Sequence, residues 1–363
     1  MAFKLATRLV AWQRQHGRHD LPWQNTKDPY RVWLSEIMLQ QTQVAAVVPY
    51  YQRFMDRFPD VEALACAPAE DVMSLWAGLG YYARARNLHA CARSVMQDWG
   101  GRFPPDAKRL ATLPGIGPST AAAIASFCYA ERIAILDGNV KRVFARYFAI
   151  EGDVTTKPVE QSLWKQATDA LPTAIQLKRD PDIMTAYTQG LMDLGATLCT
   201  KHQPACLTCP IKKDCQAHIQ GRTRELPWPR ARKTTPERTT GMLIACHQGR
   251  ILLEKRPESG IWGGLWSLPE VQSDTPVEQY CDRFGLKAKQ THSLTPFQHV
   301  FTHFRLTIFP VIAYLGSNRF TKSQIATRTD RLEWITVKDL HTLGLPAPVR
   351  KLLKGLLTDN MLG

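Results

Sequence analysis

Two acidic residues sit where this sequence could do chemistry. Glu36 falls in Trp33-Leu34-Ser35-Glu36-Ile37-Met38-Leu39-Gln40-Gln41-Thr42, where helical spacing surrounds it with Val32, Trp33, Leu39 and Gln40. A carboxyl on so apolar a face should have a raised pKa and act as a proton donor near neutrality. Asp137 follows a second apolar run, in Ile135-Leu136-Asp137-Gly138-Asn139-Val140-Lys141-Arg142. An acid beside an ionised carboxylate is the equipment for breaking a glycosidic-type bond. The acid protonates the leaving group, and the carboxylate stabilises an oxocarbenium-like sugar while water arrives. Each acid alone is equally at home as a surface or cap residue, and sequence distance does not say whether the two meet.

A second cluster is built from sulfur. Cys199-x6-Cys206-x2-Cys209-x5-Cys215 places four thiols in a short stretch. Thiolates in that number bind soft metals, as tetrahedral zinc or as an iron–sulfur cluster. Zinc sites usually come as two close CxxC pairs, and only one is present here. Lys201, Lys212 and Lys213 share the loop and could face phosphate. A third feature is Leu113-Pro114-Gly115-Ile116-Gly117-Pro118-Ser119-Thr120, followed by the small-residue stretch Ala121–Phe127. Gly115 and Gly117 allow a tight turn, and the exposed N–H groups with a helix N-terminus behind them form an anion site. Such a grip holds a phosphate backbone without reading bases.

The elements that must position these groups follow from pattern. Up to about Gln220 the apolar residues recur at helical spacing, as across Val32–Gln40, and Asp28-Pro29 offers a cap and a first-turn proline. Gly78-Leu79-Gly80, Gly100-Gly101 and Pro104-Pro105 punctuate between helices. Residues 1–220 are therefore expected to be a mostly α region with the cysteine loop at 199–215, and residues 221–240 a basic, proline-containing connector. Residues 241–363 are expected to form an α/β domain. There, Met242–Cys246, a turn at Gln248-Gly249, and Ile251–Leu253 read as a hairpin; Leu306–Tyr314 and Trp334–Val337 are further strands, and Val349–Leu357 a closing helix.

Composition narrows the partners. The 363 residues suffice for two domains, and a net charge of +14 favours polyanions without requiring them. No apolar run approaches the roughly 18–20 residues of a membrane span, and Met1–Val10 lacks the long apolar core of a secretory signal. Nine cysteines, four of them crowded together, do not make a disulfide scaffold. A cytoplasmic protein fits best.

Taken together these strings resemble the adenine DNA glycosylase (MutY) family, within the endonuclease III, helix-hairpin-helix superfamily. The resemblance rests on Leu21–Trp23, Trp33–Val44, Gly78–Leu88, the hairpin string, Ile135–Val143 and the cysteine spacing, and it covers almost the whole chain. It implies a base-excision enzyme that hydrolyses the N-glycosidic bond of adenine opposite 8-oxoguanine or guanine in double-stranded DNA. It also implies one [4Fe–4S] cluster on Cys199, Cys206, Cys209 and Cys215. By resemblance Glu36 is the general acid, Asp137 the stabilising carboxylate, and Asn139 supports the site. Gln41 and Tyr81 occupy intercalating positions, and Trp23, Leu39, Val44 and Gln189 line the adenine pocket. In bifunctional relatives a lysine follows the hairpin and attacks the sugar; here Ser119 stands in that region, which implies a monofunctional enzyme leaving an abasic site. Lys141, one turn beyond Asp137, is expected to pair with it.

The C-terminal part resembles the family's Nudix-like domain. Leu265–Pro269 begins where a Nudix box would, but Glu270–Pro276 lacks the clustered glutamates that hold Mg²⁺, so nucleotide hydrolysis is not expected. Phe301-Thr302-His303 matches the family's lesion-reading hairpin, usually Phe-Ser-His, with threonine keeping the hydroxyl and adding a methyl. The rival readings are a bifunctional endonuclease III-type glycosylase/lyase on oxidised pyrimidines and a non-enzymatic iron–sulfur DNA-binding or electron-transfer protein. Ser119 and the extra domain speak against the first, and the second has no need of Glu36.

Overall fold

The structure, a computed structural model, describes residues 2–229, 235–258, 260–316 and 331–362. Residues 230–234 of the expected connector, and 317–330 and 363 of the expected C-terminal domain, lie outside the described residues. The chain folds into two compact units, one of Met1–Cys66 and Asn87–Arg232, the other of Ala67–Arg86 and Lys233–Gly363. A single cut in the chain therefore does not separate them. Residues 67–86, from the middle of the helical half, group with the C-terminal unit.

The first unit is helical. Its elements are α1 (Ala2–His16), α2 (Pro29–Leu39), α3 (Val44–Arg57), α4 (Val61–Cys66), most of α6 (Ala83–Trp99), α7 (Ala107–Leu110), α8 (Pro118–Tyr129), α9 (Gly138–Tyr147), α10 (Lys157–Asp169), α11 (Ala174–Arg179), α12 (Ile183–Asp193) and α13 (Gln216–Ile219). Asp28 caps α2 by accepting the Tyr30 N–H, with Pro29 in the first turn, as the Asp28-Pro29 pair suggests. Helix α8 is almost all small side chains: Ala121, Ala122, Ala123 and Ala125 are buried, which lets α2 and α12 approach its backbone closely. A core of Leu5, Leu9, Phe144, Tyr147, Tyr187 and Leu191 joins α1, α9 and α12.

The second unit contains α5 (Ala69–Trp76), a mixed sheet of β1 (Glu237–His247), β2 (Arg250–Lys255), β3 (Trp266–Ser267), β4 (Glu270–Val271), β5 (Ala288–Ser293), β6 (Phe297–Val300), β7 (Arg305–Leu315) and β8 (Leu332–Thr336), and the closing helix α14 (Ala347–Thr358). Gln248 and Gly249 both have positive φ, the backbone of a tight β-hairpin turn, and join β1 to β2 antiparallel. The spine of the sheet is the parallel pairing of β1 with β7, from Glu237 opposite Arg305 to Cys246 opposite Tyr314. Strand β6 returns antiparallel on β7, so residues 301–304 are a hairpin tip. Among the described residues no helix is long and apolar enough to cross a membrane.

Gly241 shows how tightly β1 is covered. A Cβ there would meet the Tyr280 hydroxyl at 2.3 Å and Val271 Cγ2 at 2.6 Å. Gly241→Ala should therefore destabilise the C-terminal unit by about 1–3 kcal/mol through overpacking, read as a lower thermal midpoint. An unchanged midpoint would mean that Tyr280 is not held where the fold places it.

Candidate active site

Glu36 lies on α2 and opens onto a cavity of about 420 Å³ that is also lined by Trp23, Leu39, Val44, Phe127 and Gln189. The volume lies in the ordinary range for small-molecule sites, about 300–1,000 Å³. Trp23 is fixed edge-on against Tyr51, ring centroids 5.3 Å apart. The helical spacing that gave Glu36 apolar neighbours is expressed here, because Val32 and Leu39, its partners four before and three after, share the cavity wall. Burial pushes the Glu36 carboxyl up to about 8, with the negative charge of Asp137 adding to the rise. That second cause places the two carboxyls within electrostatic reach, although a hundred residues separate them in sequence.

Asp137 caps α9: its Oδ1 accepts the Val140 N–H at 2.7 Å. Burial raises its pKa as well, but the Val140 and Asn139 N–H groups, then Arg142 and Lys141, oppose the rise. Two buried carboxyls that repel each other cannot both ionise cheaply, so the proton goes to the one with fewer donors. The imbalance of donors favours the proton on Glu36 and the charge on Asp137. Asn139 turns away from solvent: its Oδ1 accepts from Arg142 Nη2 at 2.9 Å, while the same guanidinium donates to the carbonyls of Gly195 (2.7 Å) and Cys199 (2.8 Å). Gly195 is where the chain must be thin, since a Cβ there would meet Asn139 Cβ at 2.7 Å. Lys141 does not pair with Asp137 as expected. Its Nζ lies 2.6 Å from Glu160 Oε1 on α10, because a tertiary partner supplies a second carboxylate that helical spacing does not reveal.

Two residues that the sequence reading missed support the cavity: Arg18 lines it, and Asp193 holds Arg18 and Gln189, both of them lining residues. Asp193 is fully buried and accepts from Arg18 Nε at 2.7 Å, from the Arg18 N–H at 3.0 Å, and from Gln189 Nε2 at 2.9 Å. A carboxylate only accepts, so Gln189 must turn its NH₂ toward Asp193 and leave its carbonyl oxygen as the available group. The signal was present in part: Gln189 and Asp193 stand four residues apart on one helix face. Arg18 lies far away in the chain and gave none.

The glycine hairpin has the expected backbone. Gly115 sits at φ +75, where a Cβ would strike Asn87 at 2.7 Å, and Gly117 is the N-cap of α8. Ser119 is occupied structurally, since its Oγ accepts the Leu136 N–H at 3.0 Å and ties the hairpin to the strand-like run before Asp137. Gln41, at the end of α2, is exposed with φ +57.

The four cysteines surround one small chamber, together with Arg146, Ile211 and His218. Arg146 is buried and donates to Cys199 Sγ at 3.3 Å and to the carbonyls of Thr200 and Leu226, each at 2.7 Å. The Cys209 thiol is pushed up to about 12, chiefly by burial, with Cys199, Cys215 and Cys206 adding to the rise. Four thiols lining one chamber, with a buried guanidinium donating to one of the sulfurs, suit a soft-metal group held by thiolates.

In the second unit, Thr302 and His303 are exposed at the β6–β7 tip, and Phe301 is half-buried. Phe301 stacks on Phe304 (4.4 Å) and meets Trp262 (5.6 Å) and His299 (4.6 Å). Tyr81 is exposed, at φ +50, directly after Gly78 (φ +105) and Gly80 (φ +79).

Comparison with known proteins agrees with this arrangement. Residues 34–168 match the model of the HhH-GPD superfamily of base excision DNA repair proteins, and residues 240–355 that of the NUDIX domain. The adenine DNA glycosylase of Buchnera aphidicola subsp. Baizongia pistaciae (strain Bp) is 35% identical over 346 residues, 95% of this chain and 94% of its own. The human adenine DNA glycosylase is 32% identical over 410 residues, 95% of this chain and 72% of its own. The chain belongs to the adenine DNA glycosylase family. A thermostable thymine-DNA glycosylase of known structure matches 60% of this chain and 97% of its own, with a TM-score of 0.52 and 28% identity. The family consists of base-excision enzymes that generally carry an iron–sulfur cluster.

The shifted Glu36 carboxyl has a measurable consequence for stability. Its pKa rises from the usual 4.5 in the unfolded chain to about 8 in the fold. The folded state is therefore penalised as pH climbs between those values, fully so above the higher one, and not at all below the lower. Glu36→Gln, which has no charge to bury, should melt higher than the wild type at pH 8 and above, and the gain should vanish near pH 4. A gain that does not depend on pH would contradict the shift.

Proposed function

We propose that this chain is a monofunctional glycosylase that removes adenine from double-stranded DNA where it is mispaired with 8-oxoguanine or guanine, and leaves an abasic site. The observation that carries this reading is a neutral Glu36 carboxyl facing a base-sized cavity, with the charged Asp137 within electrostatic reach. An adenine in the duplex is out of reach, so the nucleotide is flipped into the cavity. Trp23, Leu39 and Val44 enclose the purine. The carbonyl oxygen of Gln189, oriented by Asp193, accepts from the exocyclic amine. Glu36 donates its proton to a ring nitrogen of the purine as the C1′–N bond breaks and its electron pair leaves with the base. Asp137 stabilises the cationic sugar, helped in its position by Asn139. Water adds to C1′ and gives up a proton to a carboxylate.

The rest of the assignment rests on the same groups. Gly115, Gly117 and Ser119 hold the DNA backbone at the hairpin, and Gln41 and Tyr81 fill the stack vacated by the flipped base. Ser119 offers no amine, and Lys141 is engaged by Glu160, which supports hydrolysis over Schiff-base chemistry. Cys199, Cys206, Cys209 and Cys215 would hold one [4Fe–4S] cluster. That group would supply rigidity to a loop bearing Lys201, Lys212 and Lys213, and the excision step does not use it. Phe301, Thr302 and His303 read the 8-oxoguanine. The chain works as a monomer.

Glu36→Gln should lower single-turnover excision of adenine opposite 8-oxoguanine by about 10²–10⁴-fold, the usual worth of a positioned acid, with duplex affinity retained. The wild-type rate should fall as pH rises past about 8, where the acid form is lost; excision unaffected by the substitution would refute the assignment. The purified protein should also carry about four irons per chain, and Cys206→Ser should lose them. A single zinc in their place would overturn the cluster.

A further inference from the structure

The exposed Tyr81 does not stand on the helical unit that surrounds it in sequence. It belongs to Ala67–Arg86, which forms one compact unit with the C-terminal sheet. Three polar contacts fasten that segment there. Glu70 pairs with Lys255 of β2, the Ser74 hydroxyl donates to the Thr342 carbonyl at 2.7 Å, and Arg86 Nη1 donates to the Gly263 carbonyl at 2.8 Å. The two segments lie close: a Cβ on Gly344 would stand 3.4 Å from the Met73 backbone, and one on Gly264 3.8 Å from Met73 Cε, both within van der Waals contact.

The third contact leads in both directions. On one side, the Tyr81 turn is braced by Arg84, which lies over the rings of Trp76 (5.2 Å) and Tyr81 (5.4 Å) and donates to the Gly80 carbonyl at 3.3 Å. On the other side, Gly263 follows Trp262, a buried residue held at φ +56. The Trp262 ring touches both His299 (6.0 Å) and Phe301 (5.6 Å) at the β6–β7 tip. The chain from Tyr81 to Arg86, the Arg86–Gly263 hydrogen bond and the packing of Trp262 on Phe301 thus connect the Tyr81 turn to the hairpin tip.

We propose that Arg86 is a positioning residue that couples the lesion-reading hairpin to the Tyr81 wedge, so that a lesion seated at Phe301–His303 sets the wedge for adenine excision. The inference rests on the function proposed above and adds the means by which its two recognition elements act together. Without that coupling the enzyme still flips and cuts adenine, but it no longer gains from the oxidised partner. Coupling between sites commonly amounts to about 5–150-fold.

The test compares single-turnover excision of adenine opposite 8-oxoguanine and opposite guanine, for the full-length protein and its variants. Arg86→Met should reduce the 8-oxoguanine preference by about tenfold, with the rate opposite guanine changed less than threefold and the melting midpoint preserved. Arg86→Lys, which keeps a donor for the Gly263 carbonyl, should restore most of the preference. Phe301→Ala should lower the preference too, and Arg86→Met added to it should lower it no further. A preference that survives Arg86→Met, losses that are equal on both duplexes, or additive losses in the double variant would each overturn the coupling alone. A wild type that excises adenine with no regard to the opposite base would remove the lesion-reading function and the coupling with it.

Discussion

A carboxylic acid kept neutral against an anionic neighbour is the interaction on which the rest of this molecule depends. Glu36 is flanked by apolar side chains at helical spacing, and Asp137 lies within electrostatic reach. Burial and repulsion act in the same direction on Glu36. On Asp137 burial is opposed by two backbone N–H groups, a guanidinium and an ammonium. One fold thereby brings two carboxyls within electrostatic reach and gives them unequal sets of local donors. Had both acids equal access to donors, neither role would be assigned.

Much of the helical unit serves that asymmetry. The cap at the start of α9 fixes Asp137, and the Ser119 hydroxyl ties the preceding strand-like run to the hairpin. Arg142 spans from Asn139 to the carbonyl of Cys199, so the cysteine loop and α9 share a guanidinium. The small side chains of α8 let α2 come close enough to bring Glu36 to the site. The cysteine chamber, whose Arg146 contacts both a sulfur and the loop backbone, fixes the far end of the same helix.

The local parts of this arrangement were legible before any coordinates. Period and caps placed α2, the Gln248-Gly249 turn placed the first hairpin, and residue types marked Glu36, Asp137, the glycines and the cysteines. What was not legible is long-range. Nothing in the sequence pairs β1 with β7 in parallel, since a backbone ladder carries no side-chain signature, or sends residues 67–86 to the C-terminal unit, where Arg86 and Ser74 meet the backbone carbonyls of Gly263 and Thr342. Lys141 was expected to pair within its own helix, yet Glu160 reaches it from α10. Arg18 meets Asp193 across most of the unit's length in sequence. Electrostatic partners are chosen by tertiary proximity, which spacing rules for a single helix do not contain.

The central claim is that the Glu36 carboxyl holds its proton near neutrality and that Asp137 is part of the reason. A carbon-detected NMR titration of the Glu36 carboxyl in the free protein tests it directly, in the wild type and in Asp137→Asn. The account predicts a midpoint near 8 in the wild type, moving down when the neighbouring charge is removed. A midpoint near the ordinary 4.5, or one indifferent to Asp137, would contradict it.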